Sequence, residues 1–310
     1  MRQRRFMQID VFSPVPYRGN PLAVVVDAEG LSDADMQNFA RWTNLSETTF
    51  LLPPTHPEAD YRVRIFTPSE ELPFAGHPTL GSCHAWLAAG GQPRNADRVV
   101  QQCAKGLVPI QRHPNDVHAP LAFAAPSSTR EVMTEADLAP VLEALGLQRD
   151  EVTAHSRLHN GPRFWALLMH DPDRLMELQP DNARLYAIGA EVGIAALYPP
   201  QNAGLIGRAS REARAFSHSD TSAPAEPHID MEVRVFFNAT TTSVEDPITG
   251  SFNASLAQWL IEEGHIRAPY LAAQGTCLGR DGRVFITQDA QSQVWVGGAS
   301  HTCIDGQITL

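Results

Sequence analysis

Short apolar or alternating stretches predict β-strands in the first part of the chain. They cover residues 7–12, 21–26 and 61–66. Residues 17–20 (YRGN) separate the first two and form a turn signal. The third stretch alternates charged and apolar residues, which is the two-residue period of a strand with one buried face.

Three other segments show the 3.6-residue apolar spacing of a helix. Ser32 is a good N-cap for the first, and Thr134 caps the third, which Gly146 ends. The second begins near Pro78 and carries almost no charge. A helix without a charged face is expected to be buried on most sides.

The second half of the chain repeats the order of the first. Three features occur twice and in the same order. They are an apolar run after a turn, an alternating strand, and an x-Pro-x-x-Gly-Ser hexapeptide at the start of a helix with an apolar face. The matching pairs are residues 19–26 with 160–169, 61–66 with 231–236, and 77–82 (HPTLGS) with 246–251 (DPITGS). Three matches in one order predict an internal duplication, and two copies predict two domains related by a pseudo-twofold axis.

The predicted boundary between the domains follows a segment rich in Ala, Pro and Ser. Residues 119–130 have this composition and indicate a connection. We therefore divide the chain into an N-terminal domain of residues 1–122 and a C-terminal domain of residues 123–310, whose last strand can return to the first domain. Residues 217–228 are predicted to form an exposed loop.

Composition and charge narrow the class of protein. The 310 residues are 43% hydrophobic and 19% charged, which is enough to bury a sizeable core. A net charge of −11 lacks the basic field of a nucleic-acid or anionic-membrane binder, so neither partner is expected. No apolar run approaches the length of a transmembrane helix or of a signal peptide.

The four cysteines show no CxxC spacing. They are Cys83, Cys103, Cys277 and Cys303. Widely spread cysteines are typical of reduced, mostly buried thiols, so we expect a cytoplasmic protein. His155 and His159 have a spacing that binds zinc on a helix, but Gly161 and Pro162 follow at once and no HExxH is present. No metal site is therefore expected.

The two hexapeptides predict two helix N-termini that could bind an anionic ligand. Pro is favoured at the first helical position, so Pro78 and Pro247 make His77 and Asp246 the predicted N-caps. Small residues in the first turn would let a ligand reach the free N–H groups, which suit an anion such as a carboxylate. If the domains face each other, His77 and Asp246 meet across one cleft; the alternative is that both hexapeptides are only helix starts.

Glu47 precedes an apolar run in NLSETTFLL (residues 44–52). A desolvated carboxyl has a raised pKa and can hold a proton near neutrality, as an acid–base catalyst must. The alternative is a solvated glutamate at a strand end. Signatures of dinucleotide binding, of P-loop phosphoryl transfer and of serine hydrolysis are missing from the sequence.

Several strings resemble the phenazine-biosynthesis isomerase family, the PhzF-like proteins. They are GNPLAVV (19–25), NLSETTF (44–50), FTPSEELPFAGHPTLGS (66–82), EDPITGS (245–251), QGTCLGR (274–280) and WVGG (295–298). The resemblance implies an α+β, diaminopimelate-epimerase-like fold, in which two pseudo-twofold-related domains each wrap a β-barrel-like sheet around a central helix. It also implies an active site between the domains, neither metal nor organic cofactor, and a homodimer.

The resemblance also implies roles for single residues. Glu47 corresponds to the family's catalytic carboxylate, and His77 and Asp246 to its His and Asp. The substrate-binding positions it implies are Asn20, Ser46, Gly76, Gly250 and Ser251. The chain departs from the pattern at Phe252, where a small residue is usual, which changes the expected shape of the pocket.

Three functions follow from these observations. The first is a cofactor-independent isomerase that shifts a proton on a small carboxylate, as in trans-2,3-dihydro-3-hydroxyanthranilate isomerase, with Glu47 as general acid and base. The second is an amino-acid epimerase or racemase of the same fold. The third is a non-catalytic small-molecule binding protein.

Overall fold

A computed structural model describes residues 1–113, 119–199, 228–239 and 241–310. Their strands join in one continuous sheet. The first nine strands are β1 (Gln3–Val11), β2 (Asn20–Val25), β3 (Thr48–Leu52), β4 (Tyr61–Phe66), β5 (Glu71–Leu72), β6 (Arg98–Cys103), β7 (Gly106–Gln111), β8 (Leu121–Ala124) and β9 (Thr129–Glu131). The next nine are β10 (Val152–His159), β11 (Arg163–Met169), β12 (Glu191–Leu197), β13 (Met231–Asn238), β14 (Ser243–Asp246), β15 (Tyr270–Gln274), β16 (Gly282–Gln288), β17 (Val294–Gly298) and β18 (Ser300–Thr309). The helices of these ranges are α1 (Asp33–Thr43), α2 (Gly76–Ala88), α3 (Glu135–Leu145), α4 (Pro172–Glu177), α5 (Asn182–Ile188) and α6 (Gly250–Glu262).

The strand pairings repeat between the halves. In the first half, β1–β2, β3–β4, β4–β5, β6–β7 and β7–β8 are antiparallel, whereas β2–β3 and β4–β6 are parallel. Strands β10 to β17 pair in the same order and with the same directions. The predicted duplication is therefore confirmed by the topology.

The halves exchange their last strands. β9 pairs with β10, and β18 pairs with β1, so each final strand lies against the first strand of the other half. β8 and β17 also pair directly. The segment 119–130, predicted as a connection, instead contains β8 and most of β9, which pair with β17 and β10. The boundary between residues 122 and 123 falls inside β8, and the two-domain division stays a prediction.

Helices α2 and α6 lie in the centre. Both contribute to one apolar cluster, for example through Leu80 and Phe252, with the inner faces of strands from both halves. Helix α1 and helices α3 to α5 cover outer faces in two smaller clusters. The predicted α+β class, with each half wrapping a sheet around a central helix, is confirmed.

The outer helices begin where the sequence predicts. Ser32 accepts a hydrogen bond from the Asp35 amide, and the Asp35 carboxylate accepts one from the Ser32 amide. Thr134 and Asp137 form the same capping box at α3. Both predicted N-caps are thus confirmed, and α2 is buried over most of its length, as predicted.

The predicted N-caps of the central helices are wrong. Helix α2 has Ala75 as its N-cap, which places His77 second in the helix. Helix α6 has Thr249 as its N-cap, and Asp246 is the last residue of β14. Pro78 is tolerated in the first turn beyond N1 because an amide there has no intrahelical partner.

The two hexapeptides consequently do not occupy equivalent places. His77–Ser82 lies wholly inside α2, whereas in the second hexapeptide only Gly250 and Ser251 are helical. The predicted loop 217–228 lies, apart from its final residue, outside the described residues.

Candidate active site

The starts of α2 and α6 meet back to back. A Cβ placed on Gly76 would lie 2.6 Å from the Gly250 backbone, and one on Gly250 would lie 3.0 Å from the Gly76 backbone. The contact is reciprocal, so the pseudo-twofold axis passes between these two glycines. Only residues without a side chain allow the two helix starts this close.

Neither helix start carries a side-chain cap. Within the described ranges, no acceptor takes the amide N–H groups of Gly76, His77, Gly250 and Ser251. Free N–H groups at the positive ends of two helix dipoles favour an anion. The junction can therefore hold the carboxylate of a ligand.

Asn20 connects the two halves beside this junction. Its side-chain amide donates to the Asp246 carboxylate at 3.0 Å and to the Ile248 carbonyl at 3.0 Å, and it lies 3.4 Å from Nδ1 of His77. Asn20 is fully buried, and its Oδ1 finds no donor in the described part of the chain. A buried polar atom without a partner is costly, so this oxygen is available to a ligand.

Gln274 and Thr249 fix the position of Asp246. The Thr249 hydroxyl donates to the second carboxylate oxygen at 2.6 Å. Gln274 donates to the Asp246 carbonyl and to the Thr249 hydroxyl, and its Oε1 accepts from the Thr249 amide. Asp246 thus accepts hydrogen bonds from both halves.

Glu47 and His77 lie side by side in this cluster. Nε2 of His77 lies 3.4 Å from Oε2 of Glu47, and their side chains are 3% and 16% exposed. Neither atom makes a hydrogen bond of good geometry to a described residue. Both atoms are therefore free to engage a substrate.

Burial sets the charges of these groups. It raises the pKa of Glu47 well above its usual range, and repulsion from Asp246 and Glu191 adds to the effect. Burial also raises the pKa of Asp246 to about 6, although the hydrogen bonds from Thr249 and Asn20 lower it in part. It lowers the pKa of His77 to about 3, so the imidazole is neutral and its contact with Glu47 is not an ion pair.

The structure gathers most of the predicted site residues. Those at one place are Asn20, Glu47, His77, Gly76, Asp246, Gly250 and Ser251. Ser46 lies in the bend before β3 and makes no hydrogen bond to another described residue. The catalytic and substrate-binding roles of these residues stay predictions.

Two residues escaped the sequence prediction. Asn160 is buried, donates to the Ser251 carbonyl at 2.8 Å and has an unpartnered Oδ1. Glu191 begins β12, and its charge acts on Glu47. The duplication was the available signal for Glu191, since it opens the strand that corresponds to β3.

The structure also explains why a large residue fits at position 252. Its ring packs edge-on against Phe164, with centroids 5.2 Å apart, and covers Gly193, where an added Cβ would lie 2.2 Å from the ring. The Phe252 side chain, which was expected to change the shape of the pocket, therefore occupies space that Gly193 leaves open.

Other features of the described residues do not compete with this site. Surface grooves of about 240 and 430 Å³ are lined by residues around Arg62 and around Trp165, and neither combines a buried carboxyl with a histidine. No group of three metal-ligating side chains occurs in the described ranges. His155 and His159 lie on strand β10, and no described helix is long and apolar enough to cross a membrane.

Comparison with known proteins gives matches along the chain. A family model for phenazine biosynthesis-like proteins, PhzC-PhzF, matches residues 9–306. Antisense-enhancing sequence 1 of Schizosaccharomyces pombe is 32% identical over 321 residues, covering 99% of each chain. Trans-2,3-dihydro-3-hydroxyanthranilate isomerase of Pseudomonas aeruginosa is 38% identical over 183 residues, covering 58% of this chain and 63% of that protein.

A solved structure shares the fold over its full length. The PhzF-family phenazine biosynthesis protein of Bacillus anthracis has a TM-score of 0.76 and 21% identity, with complete coverage of both chains. At this identity the likeness is evidence for the fold alone.

Proposed function

This chain belongs to the phenazine biosynthesis-like family and is an isomerase, and we propose that it shifts a proton on a small carboxylate-bearing substrate, with Glu47 as acid and base. A compound similar to trans-2,3-dihydro-3-hydroxyanthranilate, the substrate named for a relative, is the proposed substrate. The observation that carries the proposal is the buried Glu47 beside two converging helix starts that lack caps.

The helix starts would bind the substrate carboxylate. The amides of Gly76, His77, Gly250 and Ser251 offer donors from both halves, and their positions are fixed before a ligand arrives. Removal of a proton from a carbon near that carboxylate leaves an electron pair, which delocalises into it. Donors at this oxygen therefore stabilise charge as it develops.

Glu47 would carry the proton. In the first step a substrate C–H bond breaks and an O–H bond forms on Glu47; in the second, the O–H bond breaks and a C–H bond forms at another carbon. The composition of the substrate is unchanged. Burial holds the pKa of Glu47 well above its usual range, so this carboxyl can both take and return a proton.

His77 and Asp246 would orient the reacting groups. The neutral imidazole of His77 can exchange a hydrogen bond with Glu47 without fixing its charge. Asp246 and Asn20 present polar atoms to a hydroxyl or amino group of the substrate. These steps use only groups of this chain, and a cofactor-independent reaction is part of the proposal, as are a homodimeric state and a cytoplasmic location.

The test is exchange in deuterium oxide. Purified protein, with and without prior chelation, is incubated with trans-2,3-dihydro-3-hydroxyanthranilate and followed by NMR. We expect the protein to isomerise the substrate and to place solvent deuterium on the carbon that gains the new C–H bond. The rate should be equal with and without chelation. Absence of turnover would overturn the proposed substrate class, and loss of activity on chelation alone would overturn cofactor independence.

A further inference from the structure

Glu191 occupies in the second half the place that Glu47 holds in the first. Thr49 of β3 pairs with Ile65, which pairs with Leu72 of β5. Gly193 of β12 pairs in the same way with Val235, which pairs with Asp246 of β14. Thr49 and Gly193 are thus equivalent, and Glu47 and Glu191 lie two residues before them.

This face of both strands is directed at the central helices. The Ser82 hydroxyl of α2 donates to the Thr49 hydroxyl at 2.9 Å, and the Phe252 ring of α6 covers Gly193. Side chains two residues apart on a strand lie on the same face. Glu191 therefore faces the interior, in register with Phe164, whose ring contacts Phe252 in the first turn of α6.

The carboxylates of the two halves act on one another. Repulsion from Glu191 adds to the burial that raises the pKa of Glu47, and repulsion from Asp246 and Glu70 adds to the burial of Glu191. In the described part of the chain, no Arg, Lys or His forms an ion pair with Glu191. The buried cation Arg234 of the same half is paired with Glu245 at 2.7 Å.

The junction between the halves also holds buried polar atoms that point to a ligand. Nε2 of His77 and Oδ1 of Asn20 are buried without a partner, and both side chains are at least 97% buried. They lie where the halves meet, beside the Gly76–Gly250 contact. A substrate at this junction would meet Glu47 from the first half and, by the equivalence of β3 and β12, Glu191 from the second.

We propose that Glu191 is the second proton-transfer group of this active site and acts on the substrate from the side opposite to Glu47. The inference rests on the proposed function and extends it to substrates whose reacting carbon exchanges protons on both faces, including carboxylates with a stereocentre beside the carboxyl group. This arrangement allows epimerisation as well as a proton shift on one face.

The step balances without a co-reactant. Glu47 as carboxylate takes a proton from one face, so a C–H bond breaks and its electron pair delocalises into the substrate carboxylate. Glu191 as carboxylic acid gives its proton to the other face, and a new C–H bond forms. The enzyme ends with the proton on Glu47 instead of Glu191, and the reverse reaction or exchange with water restores it.

The test compares wild type, Glu47→Gln, Glu191→Gln and the control Glu177→Gln, which changes an exposed glutamate of the same half. Exchange on trans-2,3-dihydro-3-hydroxyanthranilate in deuterium oxide is measured from pH 5 to 9, with the face of deuterium entry. We expect Glu191→Gln to exchange deuterium at least tenfold more slowly than wild type and to introduce no deuterium on one face of the reacting carbon. We also expect its pH–rate profile to lack the fall in rate above about pH 7 that the wild type shows. The wild-type rate falls there because Glu191, with a pKa of about 7, must be protonated to donate.

A titration that needs no turnover completes the test. Carboxyl groups of ¹³C-labelled glutamates are followed by NMR, and Glu191→Gln is expected to lower the midpoint of Glu47, whereas Glu177→Gln leaves it unchanged. An unchanged Glu47 midpoint, or a wild-type rate and pH profile in Glu191→Gln, would overturn the role of Glu191. If Glu47→Gln also keeps the wild-type rate, or wild type does not exchange the probe, the proposed function itself fails.

Discussion

The outer and the central helices of this protein begin in opposite ways. Helices α1 and α3 start with capping boxes, in which a hydroxyl and a carboxylate satisfy the first amides. Helices α2 and α6 start after Ala75 and Thr249 with no side-chain cap, although both starts are buried. Buried helix ends normally have partners, so the exception marks the site.

Helix stability and ligand binding place opposite demands on the first amides of a helix. A cap satisfies an amide permanently and stabilises the helix, whereas an uncapped amide costs stability and stays available for a ligand. Here the uncapped pair also has the buried carboxyls nearby, Glu47 and Asp246. Substitutions in the two regions should therefore change different measurements.

The largest effect is expected for Glu47→Gln. Glutamine keeps the size of the side chain but cannot carry the proton, so turnover should fall by ~10²–10⁴, or roughly 3–5 kcal/mol of barrier. The melting temperature should hardly change. The control is Glu58→Gln, an exposed site in the same half; equal rates in wild type and Glu47→Gln would make Glu47 a bystander.

Gly76→Ala tests the contact between the central helix starts. The new methyl group would meet the Gly250 backbone, which cannot rotate away as a side chain can. We expect a loss of about 1–3 kcal/mol in the free energy of unfolding, with a large loss of turnover. Gly306→Ala, where nothing lies within 4 Å, is the matched control; equal stability of the two variants would contradict a close helix junction.

Asp246→Asn tests the buried charge beside the junction. The folded pKa of about 6 lies above the ordinary value near 4, so the wild-type protein binds more protons when folded and loses stability as pH rises through this window. Asp246→Asn should lack this loss. Its free energy of unfolding relative to that of wild type should therefore be higher at pH 8 than at pH 4 by about 1–3 kcal/mol. Chemical denaturation at both pH values measures it, with exposed Asp150→Asn as control; parallel pH dependence in Asp246→Asn and wild type would refute the assignment.

Ser32→Ala should give the smallest effect and the cleanest contrast. It removes the cap of α1 and should cost about 1 kcal/mol of unfolding free energy, with no change in turnover. Thr134→Ala should behave alike at α3. A fall in turnover at constant substrate affinity would show that the outer helices take part in the reaction.

The local features and the family could be predicted from contiguous stretches of sequence. Ser32 and Thr134 could be identified because an N-cap and its partner lie only three residues apart. The strands could be identified because their apolar residues recur at every second position. The duplication and the motifs around Glu47, His77 and Asp246 also stand in the sequence, since each is a contiguous string.

The way in which the two halves meet could be seen only in the folded protein. The hexapeptides suggested equivalent caps at His77 and Asp246, but the equivalent residues are Gly76 and Gly250, because the contact of two backbones requires glycine there. Glu191 lies outside every recognised string, and only the strand pairings of the two halves show that its position is equivalent to that of Glu47. Such relations depend on residues more than 100 positions apart, and local sequence patterns carry no information about them.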